Sequence, residues 1–374
     1  MGMRLGGLVL LGGYSSRMGR FKPGLDIGGA TPVERCVRLL SSAGVDPVVA
    51  VVGHNRQEAE ALVSSAGADV VFNPLYPSGM FSSVRRGVEA LMGSGVTGAF
   101  VLPVDVPLVR PCTVRALADR FAALAGSGAV DALIPVFRGR TGHPPVIGSH
   151  RFEEILGFEG QGGLRALMSG WKLETLDVFD SHVLLDMDTP EDLDVILSRL
   201  GRMEAPDREE CLEMLRLYNT PPDVVSHSLA VCGAGLSIGR ALVPRGAQLD
   251  LAMLEAGCLL HDIAKGTGNH EAAGEELLKG LGFERLGTLV GSHRDLPDSV
   301  RTPEAEVLFL ADKSVKGTGF ITLEDRLNVM RLRLRDDPAA LAGAERRIGL
   351  AMEIRRKVEA LAGAKLEEIL SLDR

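Results

Sequence analysis

Two groups of polar residues in this 374-residue chain are of the types that do chemistry, and the first group follows an apolar run near the start. Glycines let a backbone approach a ligand closely, and successive N–H groups can cradle an anion. Two cations add the fixed positive charge that a triphosphate needs. The segment 11–23 therefore predicts nucleotide binding rather than a surface turn with incidental charge, although it is neither a Walker loop nor a GxGxxG fingerprint. Its chemistry-bearing residues are Gly12, Gly13, Ser15, Arg17 and Lys22.

Two aspartates far apart in the sequence are candidates for a metal site beside this loop. Asp105 ends a predicted buried strand of a parallel sheet, where ligands normally bind. A second carboxylate from Asp188 could complete a Mg²⁺ site, because Mg²⁺ is usually held by one or two carboxylates plus substrate phosphates. Taken alone, Asp105 is better explained as a strand-end cap and Asp188 as a helix N-terminal charge. Together with the loop they favour phosphoryl chemistry by positioning and charge stabilisation.

The second group consists of histidines and aspartates in a helical context: His227, His261, Asp262 and Asp312. An adjacent His-Asp pair in an apolar stretch is costly to bury without partners. A metal bound by two imidazoles and two carboxylates explains the burial, and this N/O set suits Mn²⁺, Fe²⁺, Mg²⁺ or Zn²⁺ without a sharp choice. The alternative is a set of histidines hydrogen-bonded within a helical core. For His293, simple surface exposure is an equal alternative.

The elements that must position these residues change in character near residue 200. Before it, short apolar runs alternate with amphipathic stretches, which predicts an α/β, Rossmann-like parallel sheet covered by helices on both faces. Two further strand-like runs lie within residues 173–186. From residue 207 onward we find helical spacing and no convincing strand, which predicts an all-α domain. We expect domains at 1–200 and 207–374, the latter with a core at about 220–316 and a C-terminal helical extension to which no site is assigned.

Composition narrows the class of protein. A net charge of −8 disfavours a broad nucleic-acid-binding surface. No apolar run approaches the ~20 residues that span a bilayer, and no secretory leader is recognisable. The five cysteines are scattered without a CxxC spacing, which fits a reducing cytoplasm. We therefore expect a cytoplasmic protein with no membrane or nucleic-acid partner.

Residues 4–200 resemble the MobA-like nucleotidyltransferases, which transfer a nucleotide onto molybdopterin or a sugar phosphate. The loop at 11–23 is similar to that family's signature loop, and four further segments follow in family order. These segments are 73–84 with Asn-Pro and Gly-Met, 102–108 with Asp105, 142–145 with Gly-His-Pro, and 186–192 with Asp-Thr-Pro-Glu-Asp. The second and fourth of the five motifs indicate the molybdenum cofactor cytidylyltransferase branch.

The resemblance implies a role for each matching residue. It implies nucleotide binding by a set in the first half of the domain, namely Leu11, Gly12, Gly13, Ser15, Arg17, Lys22, Asn73, Gly79 and Ser83. It implies catalysis by Arg17, Lys22 and Asp105, Mg²⁺ binding by Asp105 and Asp188, and acceptor binding by His143 and Pro144. Gly12-Gly13 is closer to the guanylyl branch, and Gln161 replaces an acid in a Gly-Asp-x-Gly-x-Arg segment. The choice between CTP and GTP and the identity of the acceptor therefore stay open.

Residues 220–316 resemble the HD-domain metal-dependent phosphohydrolases. The resemblance implies that His227, His261, Asp262 and Asp312 bind a divalent metal, while His270 and His293 support a second ion. It also implies attack on phosphorus by metal-activated water, with Lys265 as a phosphate contact.

We thus expect transfer of CMP from CTP to molybdenum–molybdopterin with release of pyrophosphate, in a chain that also carries a phosphohydrolase. The alternatives are guanylyl transfer, transfer to a sugar phosphate, and an HD domain that only senses nucleotides and regulates. A molybdenum hydroxylase apoenzyme that receives the finished cofactor is an expected partner.

Overall fold

The computed structural model describes residues 3–11, 21–125 and 130–371, and the chain divides into two compact units, 1–201 and 202–374. The first unit alternates strands with helices. Its strands are β1 (Leu5–Leu10), β2 (Val48–Val52), β3 (Asp69–Phe72), β4 (Gly98–Pro103), β5 (Ala132–Phe137), β6 (Arg140–Thr141), β7 (Val146–Gly148) and β8 (Leu173–Asp177). Its helices are α1 (Pro32–Ser42), α2 (Arg56–Ala66), α3 (Met80–Leu91), α4 (Pro111–Ala125), α5 (Phe152–Gly157), α6 (Gly163–Met168) and α7 (Pro190–Leu200).

The strands form one mixed sheet in the order β3-β2-β1-β4-β7-β5-β6, with β8 also paired to β5. Strands β1 to β4 pair in parallel, so their carboxyl ends meet at one edge. Strand β7 runs antiparallel to both β4 and β5, while β8 is parallel to β5. The predicted α/β fold is confirmed, and the short antiparallel strands β6 and β7 are the parts that an alternating pattern did not reveal.

Both faces of this sheet are covered, which is why its central strands are continuously apolar. Along β1, Leu5 and Val9 belong to the core on one face, and Leu8 and Leu10 to the core on the other. Strand β1 is therefore buried on both faces along its whole length.

Helix α7 begins directly after Asp188 through two reciprocal hydrogen bonds. The Thr189 side chain accepts from the backbone N–H of Asp192, and the Asp192 carboxylate accepts from the backbone N–H of Thr189. Pro190 fills the first helical position, where no backbone donor is needed. This capping box sets the orientation of the chain just before the helix, which includes Asp188.

The prediction of two strands within 173–186 is half wrong, because residues 181–184 form a 3₁₀ turn instead of a strand. The buried Asp180 carboxylate accepts from the backbone N–H groups of Arg110 and His182 and from the Thr113 hydroxyl. Side-chain capping of a turn competes with ladder formation, and here the turn is favoured.

The second unit is helical, as predicted, except for one small hairpin. Its helices are α8 (Arg208–Leu217), α9 (Pro222–Leu242), α10 (Leu251–Leu260), α11 (His270–Gly280), α12 (Glu284–Gly291), α13 (Pro303–Ser314), α14 (Leu323–Arg333), α15 (Pro338–Ala362) and α16 (Leu366–Ser371). Strands β9 (Val315–Lys316) and β10 (Gly319–Phe320) pair antiparallel between α13 and α14. Two-residue strands are too short for an alternating pattern to reveal. None of the helices in the described ranges combines the length and apolarity that crossing a membrane requires.

The capping box of α7 gives a stability prediction. Thr189→Ala removes the side-chain acceptor, so we expect the first unit to lose about 1 kcal/mol of its free energy of unfolding. Trp171, the single tryptophan of the chain, is buried in this unit, so its fluorescence during urea unfolding reports on it. Thr322→Ala is the matched control, since Thr322 caps α14 in the other unit. A Trp171 transition that stays in place for Thr189→Ala, or moves equally for the control, contradicts the expectation.

Candidate functional site

In the first unit, Lys22, Asp105 and Asp188 come together at the carboxyl edge of the parallel strands. Asp105 follows β4 closely, and its carbonyl accepts from the backbone N–H of Met187 at 2.9 Å. The Lys22 Nζ lies 2.7 Å from Asp188 Oδ1, an ion pair between residues 166 apart in sequence. The buried Met187 anchors this segment. Side chains from three separate segments therefore share one edge of the sheet.

The electrostatics at this edge are dominated by carboxylates. Burial raises the pKa of Asp105; the Lys22 ammonium opposes this rise, while the Asp188 and Asp186 carboxylates add to it. Among the described groups acting on Asp105, three negative charges, its own included, face one ammonium. A divalent cation fits this donor set, because it would neutralise the excess charge with the oxygen ligands that Mg²⁺ prefers.

The glycine loop itself, with Gly12, Gly13, Ser15 and Arg17, lies outside the described residues. Leu11, the last described residue before it, is buried and donates its N–H to the Val51 carbonyl at 2.9 Å. The roles predicted for the loop residues stay predictions.

Asn73 and Ser83, two of the residues expected to bind nucleotide, are buried and bonded to each other. The Asn73 amide donates to the hydroxyls of Ser82 and Ser83 at 2.8 and 3.0 Å, and its carbonyl oxygen accepts from the Leu75 N–H at 2.9 Å. Gly79 precedes α3 with a φ of +98°, a conformation that side chains rarely adopt. These hydrogen bonds fix the backbone conformation of the segment from Asn73 to Gly79. The Asn73 side chain therefore stabilises this loop through contacts within the protein.

His143 and Pro144, the expected acceptor-binding residues, follow the β5–β6 hairpin. The backbone N–H of His143 donates to the Val183 carbonyl at 2.8 Å. Desolvation lowers the pKa of His143, and the Asp186 carboxylate opposes that effect. Asp186 also acts on Asp105, so it links the His143 turn to the Lys22–Asp188 edge.

In the second unit, six predicted metal ligands from five helical segments meet around Asp262. Its Oδ1 lies 3.2 Å from His270 Nε2 and 3.6 Å from His293 Nε2, and its Oδ2 lies 3.6 Å from His261 Nε2. The Asp312 Oδ1 lies 3.3 Å from His227 Nε2 and 3.9 Å from His261 Nε2. His293 is buried among these residues and not exposed at the surface.

The histidine rings are oriented by their other nitrogen atoms. The Nδ1 atoms bond backbone carbonyls: His227 to Gly317 at 2.9 Å, His261 to Cys258 at 2.9 Å and His293 to Val290 at 2.6 Å. Since a carbonyl can only accept, each of these Nδ1 atoms carries a proton, and the Nε2 atoms face the Asp262 and Asp312 carboxylates. An outer hydrogen bond of this type fixes the tautomer of a metal-binding histidine.

The environment of His261 Nε2 tests whether the cluster around Asp262 fits a metal ion. Its Nε2 is buried and has no hydrogen-bond partner in the described part of the chain. Burial lowers the pKa of this imidazole to about 4, so the ring is neutral at pH 7. An orphaned neutral nitrogen between two carboxylates fits a divalent cation, which would satisfy all three groups at once. Two donor sets share Asp262, one with His227 and His261 and one with His270 and His293.

Lys313 is a residue of this site that the sequence analysis did not select. Its Nζ lies 2.7 Å from Asp312 Oδ2 and donates to the His293 carbonyl at 3.1 Å. Burial favours the protonated acid, but the Lys313 ammonium and His227 hold the pKa of Asp312 well below its usual range. The available signal was a lysine directly after Asp312, at the end of the apolar run 307–311.

Five of the six clustered ligands, all except His261, line a cavity of about 700 Å³ together with Lys313. Lys265 also lies on its wall, 3.1 Å from Asp262 Oδ2, with its side chain 43% exposed and so accessible to a phosphate. From the sequence, no site is assigned to the segment beyond Gly317. Arg326, Arg333 and Arg347, all from that segment, line the same cavity because the hairpin returns the chain to it.

The sequence profile of the MobA-like NTP transferase domain matches residues 7–176, and that of the HD domain matches residues 224–315. Lys22 and Asp105 lie inside the first match, and the six clustered ligands lie inside the second. The first unit is thus a MobA-like NTP transferase domain, and the second contains an HD domain.

The curated relatives are similar over the length of one domain. A probable molybdenum cofactor guanylyltransferase of Opitutus terrae is 36% identical over 126 residues, which is 34% of this chain and 59% of that relative. The molybdenum cofactor cytidylyltransferase of Escherichia coli is 22% identical over 186 residues, covering 50% of this chain and 91% of that protein. The solved structure of Rv0371c from Mycobacterium tuberculosis H37Rv is 25% identical, with a TM-score of 0.47, over 53% of this chain and 99% of that one.

The cluster around Asp262 gives a metal-binding prediction. His261→Ala removes the orphaned Nε2 ligand, so we expect Mn²⁺ affinity to fall by at least the roughly 10–100-fold that loss of an outer-shell partner costs. Isothermal titration of chelator-treated full-length protein with Mn²⁺ measures this, and circular dichroism checks that the helices remain. His150→Ala is the control, because His150 pairs with Asp131 in the first unit. Equal Mn²⁺ affinity for His261→Ala and the control would remove His261 from the ligand set.

Proposed function

We propose that the first unit transfers a nucleotidyl group from a nucleoside triphosphate to the phosphate of a molybdopterin-type cofactor and releases pyrophosphate. The observation that carries the proposal is the meeting of three side chains: Lys22 and Asp105, which lie within the MobA-like NTP transferase match, and Asp188, which follows it in the chain. The chain spans 59% of the Opitutus terrae relative, a probable molybdenum cofactor guanylyltransferase, and we take the acceptor from that relative.

In this proposal the protein acts by positioning charge. An oxygen of the acceptor phosphate attacks the α-phosphorus, the bond to the bridging oxygen breaks, and pyrophosphate leaves with that electron pair. No general base is needed, because the attacking phosphate is already anionic at neutral pH. Lys22 and Arg17 bind the triphosphate and offset its developing charge. Asp105 and Asp188 would hold Mg²⁺, which when bound neutralises phosphate oxygens.

The remaining residues of the domain orient the two substrates. Asn73 and Ser83 hold the backbone that leads to Gly79, and this loop contacts the nucleotide. His143 and Pro144 contact the acceptor, because their turn is linked through Asp186 to the Asp105 edge.

CTP is the nucleotide we propose first, on the Asn-Pro…Gly-Met and Gly-His-Pro segments. GTP is a second candidate for a specific reason: Gly12-Gly13 resembles the guanylyl branch, and the Opitutus terrae relative is named a guanylyltransferase. Pyrophosphate release with each of the four nucleoside triphosphates and molybdopterin separates these two, and release only with a sugar phosphate overturns the proposed acceptor.

Lys22 offers a test with a matched control. Residues 1–200 contain only two lysines, Lys22 and Lys172, and Lys172 is exposed. We expect Lys22→Ala to lower the rate of pyrophosphate release by roughly 10²–10³-fold, the loss typical for one preorganised charge-stabilising group. Lys172→Ala should keep the rate of the unmodified protein. Unchanged release by Lys22→Ala would exclude Lys22 from triphosphate binding.

We further propose that the second unit hydrolyses a phosphate ester or anhydride. The orphaned His261 Nε2 amid buried ligands supports this proposal. A divalent ion held there supplies Lewis-acid polarisation of phosphate and a lowered pKa of water. Lys265 contacts the substrate phosphate, while Lys313 holds Asp312 ionised and in place. The activity assay described next is run with Mn²⁺, Fe²⁺, Mg²⁺ and Zn²⁺ in turn, and so identifies the metal.

Asp262→Asn separates the two activities. Asp262 touches three histidines, so its replacement should abolish phosphate release from a panel of phosphomonoesters and dinucleotides supplied with each metal. Nucleotidyl transfer should persist, because Lys22 and Asp105 are intact. Metal binding without turnover of any panel member by the unmodified protein would favour a nucleotide-sensing HD domain instead.

A further inference from the structure

The cavity around Asp262 has a wall that the HD domain itself does not provide. The HD match ends at residue 315, yet the cavity is also lined by residues from the β9–β10 hairpin, α14 and α15. The lining residues of this later segment are Lys316, Gly317, Arg326, Met330, Arg333 and Arg347. We refer to these six residues as the C-terminal wall.

The C-terminal wall is attached directly to the metal ligands. The Gly317 carbonyl accepts from His227 Nδ1 at 2.9 Å. The Arg326 Nη1 donates to the carbonyls of Asp312, Lys313 and Val315 at 2.9, 3.1 and 2.7 Å, which ties α14 to the end of the helix that carries Asp312. The wall therefore has a defined position relative to the donor set.

The cavity carries an excess of positive charge before any metal is counted. Among the described residues that line it, seven are Lys or Arg and four are Asp or Glu. Most of these cations already have partners: Lys313 pairs with Asp312, Arg294 with Glu271, and Arg347 with Asp295. In contrast, the exposed side chains of Lys316 and Arg333 make no hydrogen bond or ion pair with any residue in the described ranges.

Two unpaired cations on the wall of a concave site attract anions, because a charge-assisted contact to a phosphate oxygen can form there without first breaking an ion pair. A cavity of about 700 Å³ accommodates a nucleotide-sized molecule, whereas the metal donors engage one phosphate. Lys265 stands beside Asp262, in the part of the lining that the HD match covers. The cavity thus offers charge at two places.

We propose that Lys316 and Arg333 form a second phosphate-binding subsite, so that the ligand of this cavity is a nucleotide-sized molecule with two separate phosphate groups. The hydrolysis of the phosphate at the metal donors rests on the proposed function. The binding of the other phosphate rests on the C-terminal wall alone. Arg326 is a positioning residue, since its guanidinium holds the wall against the Asp312 helix.

The test compares adenosine 3′,5′-bisphosphate with AMP, using isothermal titration of Mn²⁺-loaded full-length protein. All measurements use the Lys22→Ala background, which suppresses nucleotide binding in the first unit. We expect the bisphosphate to bind about 10-fold more tightly than AMP, as one charge-assisted contact implies. Lys316→Ala with Arg333→Ala should remove that preference and leave AMP affinity unchanged.

Arg335→Ala is the matched control for this experiment. Arg335 lies two positions beyond Arg333, is 76% exposed and pairs with Asp336, and it is outside the lining of the cavity. A preference that survives the double substitution, an equal loss of AMP and bisphosphate affinity, or the same loss in Arg335→Ala overturns the second subsite.

Phosphate release from the same two compounds distinguishes the failure of each proposal. If the preference depends on Lys316 and Arg333 but neither compound is hydrolysed, the subsite stands and adenine nucleotides are excluded as substrates of the proposed hydrolase. If the bisphosphate is hydrolysed with a KM that does not depend on these two residues, the hydrolase stands and the subsite is excluded.

Discussion

The orphaned Nε2 of His261 is the constraint on which the second unit depends. The ring cannot turn to find another partner, because its Nδ1 is bonded to the Cys258 carbonyl, and it cannot take up a proton near neutral pH, because burial lowers its pKa to about 4. Asp262 and Asp312 stand on either side of it as buried, ionised carboxylates. An unpaired ring nitrogen between two ionised carboxylates is costly to bury in a protein interior unless a cation binds all three groups.

In the first unit, too, clustered carboxylates need a cation to offset their charge, although they are less buried than those of the second unit. Three carboxylates act at the carboxyl edge of the parallel strands, and the described cation that acts on Asp105 there is Lys22. The ion pair between Lys22 and Asp188 offsets part of this charge. In both units, then, negative side chains are held together by the fold itself, through the α7 capping box in one and through carbonyl-bound imidazoles in the other.

The C-terminal helices show how a site can extend beyond the domain that defines it. The bond from His227 to Gly317 and the three bonds from Arg326 make the hairpin and α14 parts of the metal site's support. A basic wall outside the matched region can set which phosphorylated molecule binds, while the ligands inside the region set the chemistry. Differences in function within an HD family can therefore arise from segments that a family profile does not include.

The sequence by itself determined the elements and the chemistry. Continuous apolar runs such as Val48–Val52 identified doubly covered strands, helical spacing identified the second unit, and the His261-Asp262 pair identified a buried polar cluster. Only the tertiary structure decided which residues from distant parts of the chain come into contact. Local spacing carries no information about the contact between Lys22 and Asp188, 166 residues apart, or about the antiparallel entry of β7. It also could not reveal that His293 is buried beside Asp262 or that Arg333 reaches the cavity, because both depend on how separate helices pack and on a hairpin too short to leave a pattern.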